Sequence, residues 1–223
     1  MNWGSVGWLY TGATHPTVIA KGTGRYRIES AAAPFQSIIP PMAHRFTTSY
    51  VENSLSLFRQ YKSLAERAMA QVNDEELSRA VDTESNSIAI IVKHMAGNMR
   101  SRWTDFLTTD GEKPNRNRDS EFEAPPSTRA ELMDTWESGW GCLLATLEGL
   151  TDADLTRTVY IRTEPHSVMQ AINRQMAHYS CHVGQIVFLA KHLRSSQWKS
   201  LSIPRGESAG FNLKVSRGEA SQT

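Results

Sequence analysis

Hydrophobic residues recur at helical spacing in four long stretches of this chain between residues 47 and 193. Within each stretch, apolar positions return every three to four residues and charged residues occupy the opposite face, as in an amphipathic helix. The pattern predicts helices over about 47–72, 88–107, 128–150 and 168–193. Serine-containing segments that can cap a helix, 85–87 and 165–167, precede the second and fourth helices.

The second stretch begins with isoleucines and a valine, so its first turn alone would also fit a strand. Because the pattern continues for about twenty residues, beyond ordinary strand length, it predicts a helix. Gly97 lies inside this helix, where a glycine costs about 1 kcal/mol. It therefore indicates close approach of another helix or access for a ligand. Residues 158–162 alternate in polarity and predict a short extended segment.

Four amphipathic helices indicate an all-α fold, an up-down four-helix bundle with a long connection between its second and third helices. That connection, residues 108–126, is polar and is bounded by prolines. Loops of this length are often functional or disordered. Two interpretations stay open: a solvated linker, or a loop whose Arg116, Arg118 and Asp119 fold over the mouth of a site.

The two ends of the chain differ from its centre. Residues 1–42 are rich in glycine and proline and lack a sustained period, which predicts a poorly ordered N-terminal extension. This extension is either an over-extended gene start or a genuine flexible tail. The bundle is predicted over 43–205, with Trp198 and Leu201 lying back over it, and 206–223 is predicted to be a polar tail.

Composition narrows the classes of partner. The formal net charge is +1, so bulk electrostatics do not favour nucleic acid or an anionic membrane. No apolar run reaches the roughly 18 residues of a membrane span, and no secretory signal is visible. The two cysteines, Cys142 and Cys181, fall in different predicted helices, so nothing indicates a disulfide framework. A cytoplasmic protein is the expectation.

The histidines carry the candidate chemistry. His178 and His182 are four residues apart on the fourth predicted helix, so their side chains lie on one face and can converge on one ion at about 2.0–2.1 Å. His94, in the middle of the second predicted helix, is the candidate third ligand. Three imidazoles leave one coordination position open, as in catalytic zinc sites. The alternative is three core histidines hydrogen-bonded to carbonyl groups.

A mid-helix His94 followed by His178-x-x-x-His182 and then Val-Gly-Gln-Ile resembles the DinB-like metalloenzyme family. Segments 86–94, 102–113 and 172–175 resemble a subgroup of that family whose function is not established. The resemblance spans about 43–205. It implies a bundle that holds a divalent metal on the three histidines, zinc or nickel foremost with iron or manganese as alternatives, and commonly forms a homodimer. Relatives include thiol-dependent transferases and isomerases.

The leading hypothesis is a metal-dependent enzyme, a thiol-dependent S-transferase or hydrolase that activates a low-molecular-weight thiol or water against a small electrophile. Asn98, Arg102 and Gln185 are expected near the pocket as contacts of the ligands or the substrate. The alternative for each is solvation at the end of the bundle or a hydrogen bond between helices. Tyr179 is expected in the core. The alternative hypothesis is a non-catalytic, stress-related metal-binding protein. DNA binding is disfavoured, because no predicted helix carries a basic stripe.

Overall fold

The computed structural model describes residues 45–221. Over this range the chain forms six α-helices and one two-stranded antiparallel sheet. The elements are α1 (Tyr50–Met69), α2 (Asp74–Ser78), α3 (Ile88–Trp103), α4 (Arg129–Glu148), β1 (Thr158–Ile161), β2 (Glu164–Ser167), α5 (Val168–Arg194) and α6 (Ser208–Ser216). The four predicted helices correspond to α1, α3, α4 and α5, and β1 lies in the predicted extended segment.

Side-chain caps set the start of each long helix. Ser49, Ser87, Thr128 and Ser167 each accept a hydrogen bond from a backbone N–H of the first turn. The end of α3 is the largest departure from prediction, because the helix stops at Trp103 and not near residue 107. The backbone leaves the helical conformation at Thr104, whose ψ is 128°, and Asp105 follows in the connection with a positive φ of 50°.

One aromatic cluster joins the four long helices at a single level. Phe58 of α1 lies 6.3 Å from Trp103 of α3, 6.4 Å from Trp140 of α4 and 6.0 Å from Tyr179 of α5, measured between ring centroids. All four side chains are buried. Tilted and edge-on pairs of this kind stabilise a core beyond the area that they bury. The predicted class, a four-helix bundle with a long connection between its second and third long helices, is confirmed.

Contacts between the helices give their directions. Gly139 of α4 lies against Ala96 of α3, and Thr146, two turns later, donates a hydrogen bond of 2.9 Å to the carbonyl of Trp103. Residue numbers rise together along this pair, so α3 and α4 are parallel. Two ion pairs join α1 to α4, Arg59–Glu148 and Lys62–Glu137. Residue numbers rise along α1 as they fall along α4, so these two helices are antiparallel. The term up-down therefore describes α1 and α3 but not α3 and α4, whose shared direction requires the long connection.

The long connection is attached to the bundle and is not a solvated linker. The Asp110 carboxylate accepts backbone hydrogen bonds from Glu112 at 2.7 Å, Arg162 at 2.8 Å and Thr163 at 2.7 Å. Arg162 and Thr163 form the turn between β1 and β2, and both have positive φ. This conformation is typical of a tight hairpin turn and unusual for residues other than glycine, asparagine and aspartate. Asp110 thus secures both the connection and the hairpin.

The chain beyond α5 returns over the bundle, as predicted. Trp198 and Leu201 are partly buried and pack against the core. The segment predicted as a polar tail contains α6, a nine-residue helix none of whose residues is buried. The predicted extension over residues 1–42 lies outside the described residues. None of the helices described between residues 45 and 221 is both long and apolar enough to cross a membrane.

Close packing of α3 on α4 predicts opposite effects for two glycines of α4. A Cβ at Gly139 would meet the Ala96 Cα at 2.7 Å, whereas a Cβ at Gly141 would meet no atom within 4 Å. Gly139→Ala should lower the free energy of unfolding by about 1–3 kcal/mol through overpacking. Gly141→Ala should raise it by up to about 1 kcal/mol, because alanine favours the helix.

Urea denaturation of the two variants beside the wild-type chain measures both effects. Equal shifts of the unfolding midpoint in the same direction would contradict the close contact.

Candidate metal centre

The three predicted histidines face one another across α3 and α5. The Nε2 atoms of His178 and His182 are 3.0 Å apart, and the Nε2 atoms of His94 and His178 are 3.4 Å apart. The three nitrogens that could bind an ion all lie within 4.8 Å of one another. Successive turns of α5 supply two of them, and the middle of α3 supplies the third. The structure therefore brings the three predicted histidines together in one cluster.

Hydrogen bonds at the opposite ring nitrogens determine which tautomers are present. The Nδ1 of His94 is 2.9 Å from a Glu121 carboxylate oxygen, and the Nδ1 of His182 is 2.8 Å from the amide oxygen of Gln185. Both oxygens accept, so both Nδ1 atoms donate and both Nε2 atoms present a lone pair to the centre. The Nε2–H of His178 can donate to only one of these two Nε2 atoms. The cluster therefore presents more acceptors than donors, which is the arrangement that a cation satisfies.

The residues present fit a divalent ion. Tetrahedral binding at about 2.0–2.1 Å places ligand nitrogens roughly 3.3–3.4 Å apart. The His94–His178 separation of 3.4 Å has this value, and the His178–His182 separation of 3.0 Å is slightly shorter. Imidazole is a ligand for zinc, nickel, iron and copper alike. Within residues 45–221 the candidate group has three members, all histidines.

Burial keeps two of the candidate ligands, His178 and His182, neutral. Loss of solvation, together with the neighbouring His182 and His94, lowers the pKa of His178 to about 3. Burial also lowers the pKa of His182, although the hydrogen bond to Gln185 acts in the opposite direction. A metal ion binds the unprotonated imidazole, so neither ring has to lose a proton at neutral pH before it can bind.

A short piece of the long connection covers His94. The Phe122 ring stacks on the His94 ring with centroids 4.7 Å apart, and the Arg118 guanidinium lies 5.0 Å from the Phe122 centroid. Glu121, beside Phe122, is 6% exposed and holds the Nδ1 of His94. Arg116 donates to both Glu121 oxygens, from Nε at 2.8 Å and from Nη2 at 2.9 Å. Glu121 is thus a buried carboxylate with two partners.

These partners keep Glu121 ionised. Burial alone would raise the pKa of its carboxyl, but the hydrogen bonds and charges of His94 and Arg116 outweigh that effect and the pKa is lowered. Arg116 itself is almost fully buried, with a side chain 5% exposed, and also lies 3.3 Å from Glu112. The result is a continuous charged network that runs from the connection to a candidate ligand.

The three predicted pocket residues have different surroundings. Gln185 contacts His182, as expected. Asn98 accepts a hydrogen bond of 2.9 Å from the Tyr179 hydroxyl, which in turn accepts from the indole of Trp103 at 3.2 Å. This places Asn98 in the core network, and Tyr179 is in the core as predicted.

Arg102 donates to the Gly111 carbonyl and the Glu112 carboxylate. Its role there is to hold the connection on α3.

Of the loop residues predicted over the site, Arg116 reaches it through Glu121, Arg118 lies over Phe122, and Asp119 projects outward with a side chain 92% exposed. Glu121 and Phe122 were missed by sequence analysis. Phe122 is a lone aromatic residue in a polar stretch, and it is the one signal that could have indicated a buried anchor there. Outside the cluster, His192 is exposed and His166 is half-buried.

Residues 45–207 match the model of the family described as "Protein of unknown function (DUF1572)". The chain belongs to this family.

A solved structure described as a DinB-like protein from Bacillus cereus ATCC 10987 has the same fold, with a TM-score of 0.53. The two sequences are 14% identical, and the match covers 66% of this DUF1572 chain and 95% of the DinB-like chain. No curated protein matches. The DinB-like fold is therefore shown, and the family description assigns no reaction.

The lowered pKa of His178 predicts how the stability of the metal-free protein depends on pH. The unfolded chain binds a proton at this histidine below about pH 6.5, its ordinary pKa, whereas the folded chain binds one only near about pH 3. Between these values the unfolded state holds more protons, so the free energy of unfolding should fall as pH falls. His178→Gln should flatten that dependence in chelator-treated protein.

Chemical denaturation across this pH range measures the slope. His192→Gln, an exposed histidine on the same helix, is the matched control and should leave the slope unchanged. An identical slope for wild type and His178→Gln would contradict the burial argument.

Proposed function

We propose that this DUF1572 chain binds one divalent metal ion, zinc or nickel foremost, on His94, His178 and His182. We further propose that it is an enzyme that transfers a low-molecular-weight thiol to a small electrophile, or hydrolyses that electrophile. The observation that carries the proposal is the convergence of the three Nε2 atoms. In His94 and His182 the other ring nitrogen, Nδ1, faces an acceptor oxygen, so their Nε2 atoms carry lone pairs. Such a constellation is costly to leave without a cation, because neutral lone pairs then face one another.

A divalent ion held there supplies Lewis acidity, which lowers the pKa of a water or thiol that it binds. The chain supplies the remaining parts. Burial keeps His178 and His182 unprotonated, and Glu121 and Gln185 orient the rings. His178 and His182 remain half-exposed, which supports access for a small molecule from the α5 side.

The number of candidate metal-binding side chains supports an enzyme over a purely structural site. Structural zinc sites use four protein ligands, whereas catalytic sites use three and keep one position for water or substrate. The candidate group in the described chain has three, and the nearby Glu121 is already engaged with His94 and Arg116. The non-catalytic, metal-binding alternative shares the ion but predicts no turnover.

Metal content tests the first half of the proposal. Chain incubated with Zn²⁺ or Ni²⁺ and then desalted should retain about one ion per chain, measured by elemental analysis. His178→Ala should lose most of it, because two imidazoles bind far more weakly than three. His192→Ala, which removes an exposed histidine from the same helix, should retain the wild-type amount. Wild-type metal content in His178→Ala would refute the assigned ligands.

A reaction screen tests the second half. Metal-loaded wild type is mixed with small thiols and with electrophiles such as epoxides, alkyl halides and activated esters, and product is followed by mass spectrometry. We expect turnover that disappears with chelator and in His178→Ala but persists in His192→Ala. One tightly bound ion without any thiol transfer or hydrolysis would favour the non-catalytic alternative.

A further inference from the structure

The connection residues Arg116–Ala124, here called the covering segment, are held on α3 immediately beside a candidate ligand. The Lys93 ammonium donates to the backbone carbonyls of Ser120 at 2.7 Å, Glu123 at 2.6 Å and Ala124 at 3.2 Å. An ammonium has three N–H groups, so these carbonyls engage all of them. Lys93 directly precedes His94 in sequence, so the anchor of the segment and the ligand share one turn of α3.

Gly97 makes room for the carboxyl group of the covering segment. A Cβ at this position would collide with a carboxylate oxygen of Glu121 and would lie 2.7 Å from its Cδ. The Glu121 carboxyl therefore occupies the space that a side chain would fill. Gly97 is one turn after Lys93, so Lys93, His94 and Gly97 together form the surface of α3 on which the segment lies. Sequence analysis predicted another helix or a ligand at Gly97, and the structure places Glu121 of the connection there.

Arg116 holds the same carboxylate from the other side. Its two hydrogen bonds to the Glu121 oxygens form a bidentate pair, which fixes the plane of the carboxyl group as well as its position. The Oε2 atom that accepts from Arg116 is also the atom that contacts the Nδ1 of His94. Glu121 is consequently constrained by the glycine space, by Arg116 and by the backbone anchor at Lys93.

We propose that Glu121 is a positioning residue of the metal centre. It holds His94 as the Nδ1–H tautomer with Nε2 directed at His178, and it thereby couples metal binding to docking of the covering segment on α3. The tautomer part concerns the metal-free protein, whereas the coupling part rests on the proposed function. Because thermodynamic coupling is reciprocal, metal should stabilise the docked segment, and loosening the segment should weaken metal binding.

Histidine ¹⁵N NMR of the metal-free full chain at neutral pH tests the tautomer. In wild type the His94 ring should be the Nδ1–H form. Glu121→Ala should lose this preference, and Glu121→Gln should restore it, because the amide oxygen can still accept. Glu123→Ala is the matched control: it removes an exposed carboxylate from the same segment and should change nothing. Retention of the wild-type tautomer in Glu121→Ala would overturn the proposal.

Competition with a chromophoric chelator for Zn²⁺ tests the effect on the ion. Loss of a partner that orients a histidine ligand typically weakens metal binding ~10–100-fold, and Glu121→Ala should show a loss of this size while Glu123→Ala does not. If Glu121→Ala keeps wild-type affinity while His178→Ala loses binding, the positioning role of Glu121 is refuted but the proposed metal site is still supported. Wild-type affinity in His178→Ala would refute the proposed function, and the NMR result would still decide the role of Glu121.

Two further variants cover the case in which Glu121→Ala does not fold. Gly97→Ala should displace the carboxylate without deleting it and should also weaken Zn²⁺ binding. Gly141→Ala, at an uncrowded position of α4, is its control. Lys93→Met removes the backbone anchor and touches none of the three ligands, so weaker binding in this variant would specifically support coupling. Unchanged Zn²⁺ affinity in both Gly97→Ala and Lys93→Met would overturn the proposed coupling between metal binding and docking of the covering segment.

Limited trypsin digestion gives the reciprocal measurement. Arg118 lies in the covering segment with a side chain 51% exposed, so cleavage after it reports transient release of the segment. Zn²⁺ should slow this cleavage in wild type but not in His178→Ala. Cleavage after Arg205, exposed and beyond α5, provides the internal control and should not respond to Zn²⁺. Equal rates at Arg118 with and without Zn²⁺, in protein shown to bind the ion, would refute the coupling.

Discussion

The buried contact between Glu121 and His94 is the constraint on which the candidate site depends. A carboxylate removed from water is stable only when charged or polar partners replace its hydration. Here His94 on one side and Arg116 on the other provide that replacement. The contact therefore requires the long connection to lie on α3, and it turns the Nε2 of His94 toward α5. Bundle packing brings the helices together, but this contact gives the third candidate ligand its direction.

The parts of the structure that sequence analysis predicted are those set by local geometry. Helical periodicity placed α1, α3, α4 and α5, with serine-containing cap segments before α3 and α5, and the spacing of His178 and His182 placed both on one face of α5. The parallel direction of α3 and α4 could not be obtained in this way. Helical periodicity indicates which face of a helix is buried, but it carries no information on the direction of a neighbouring helix.

Residues that act through long-range partners were predicted less well. Asn98 and Arg102 lie on the same flank of α3 as His94, one and two turns on. Side chains on the other elements decided their roles: Tyr179 engages Asn98, and the connection engages Arg102. Glu121 lies in an aperiodic segment, where no spacing rule applies. The face of a helix predicts which neighbourhood a side chain enters, and only the tertiary fold determines its partner.

The charges around the cluster affect which kind of ligand the fourth coordination position of the proposed metal ion would accept. The pKa values of His178 and His182 are lowered, so these neutral imidazoles would leave the charge of a divalent ion unreduced, and the negative charge of Glu121 is offset by Arg116 at hydrogen-bond distance. An incoming ligand would therefore meet nearly the full positive charge in a partly desolvated site, where electrostatic attraction is stronger than in water. Such a site favours an anion, a thiolate or hydroxide, over a neutral molecule. Had Arg116 been absent, the carboxylate would have reduced that preference, so the arginine supports the thiol-transfer and hydrolytic chemistry proposed for this chain without contacting the ligands itself.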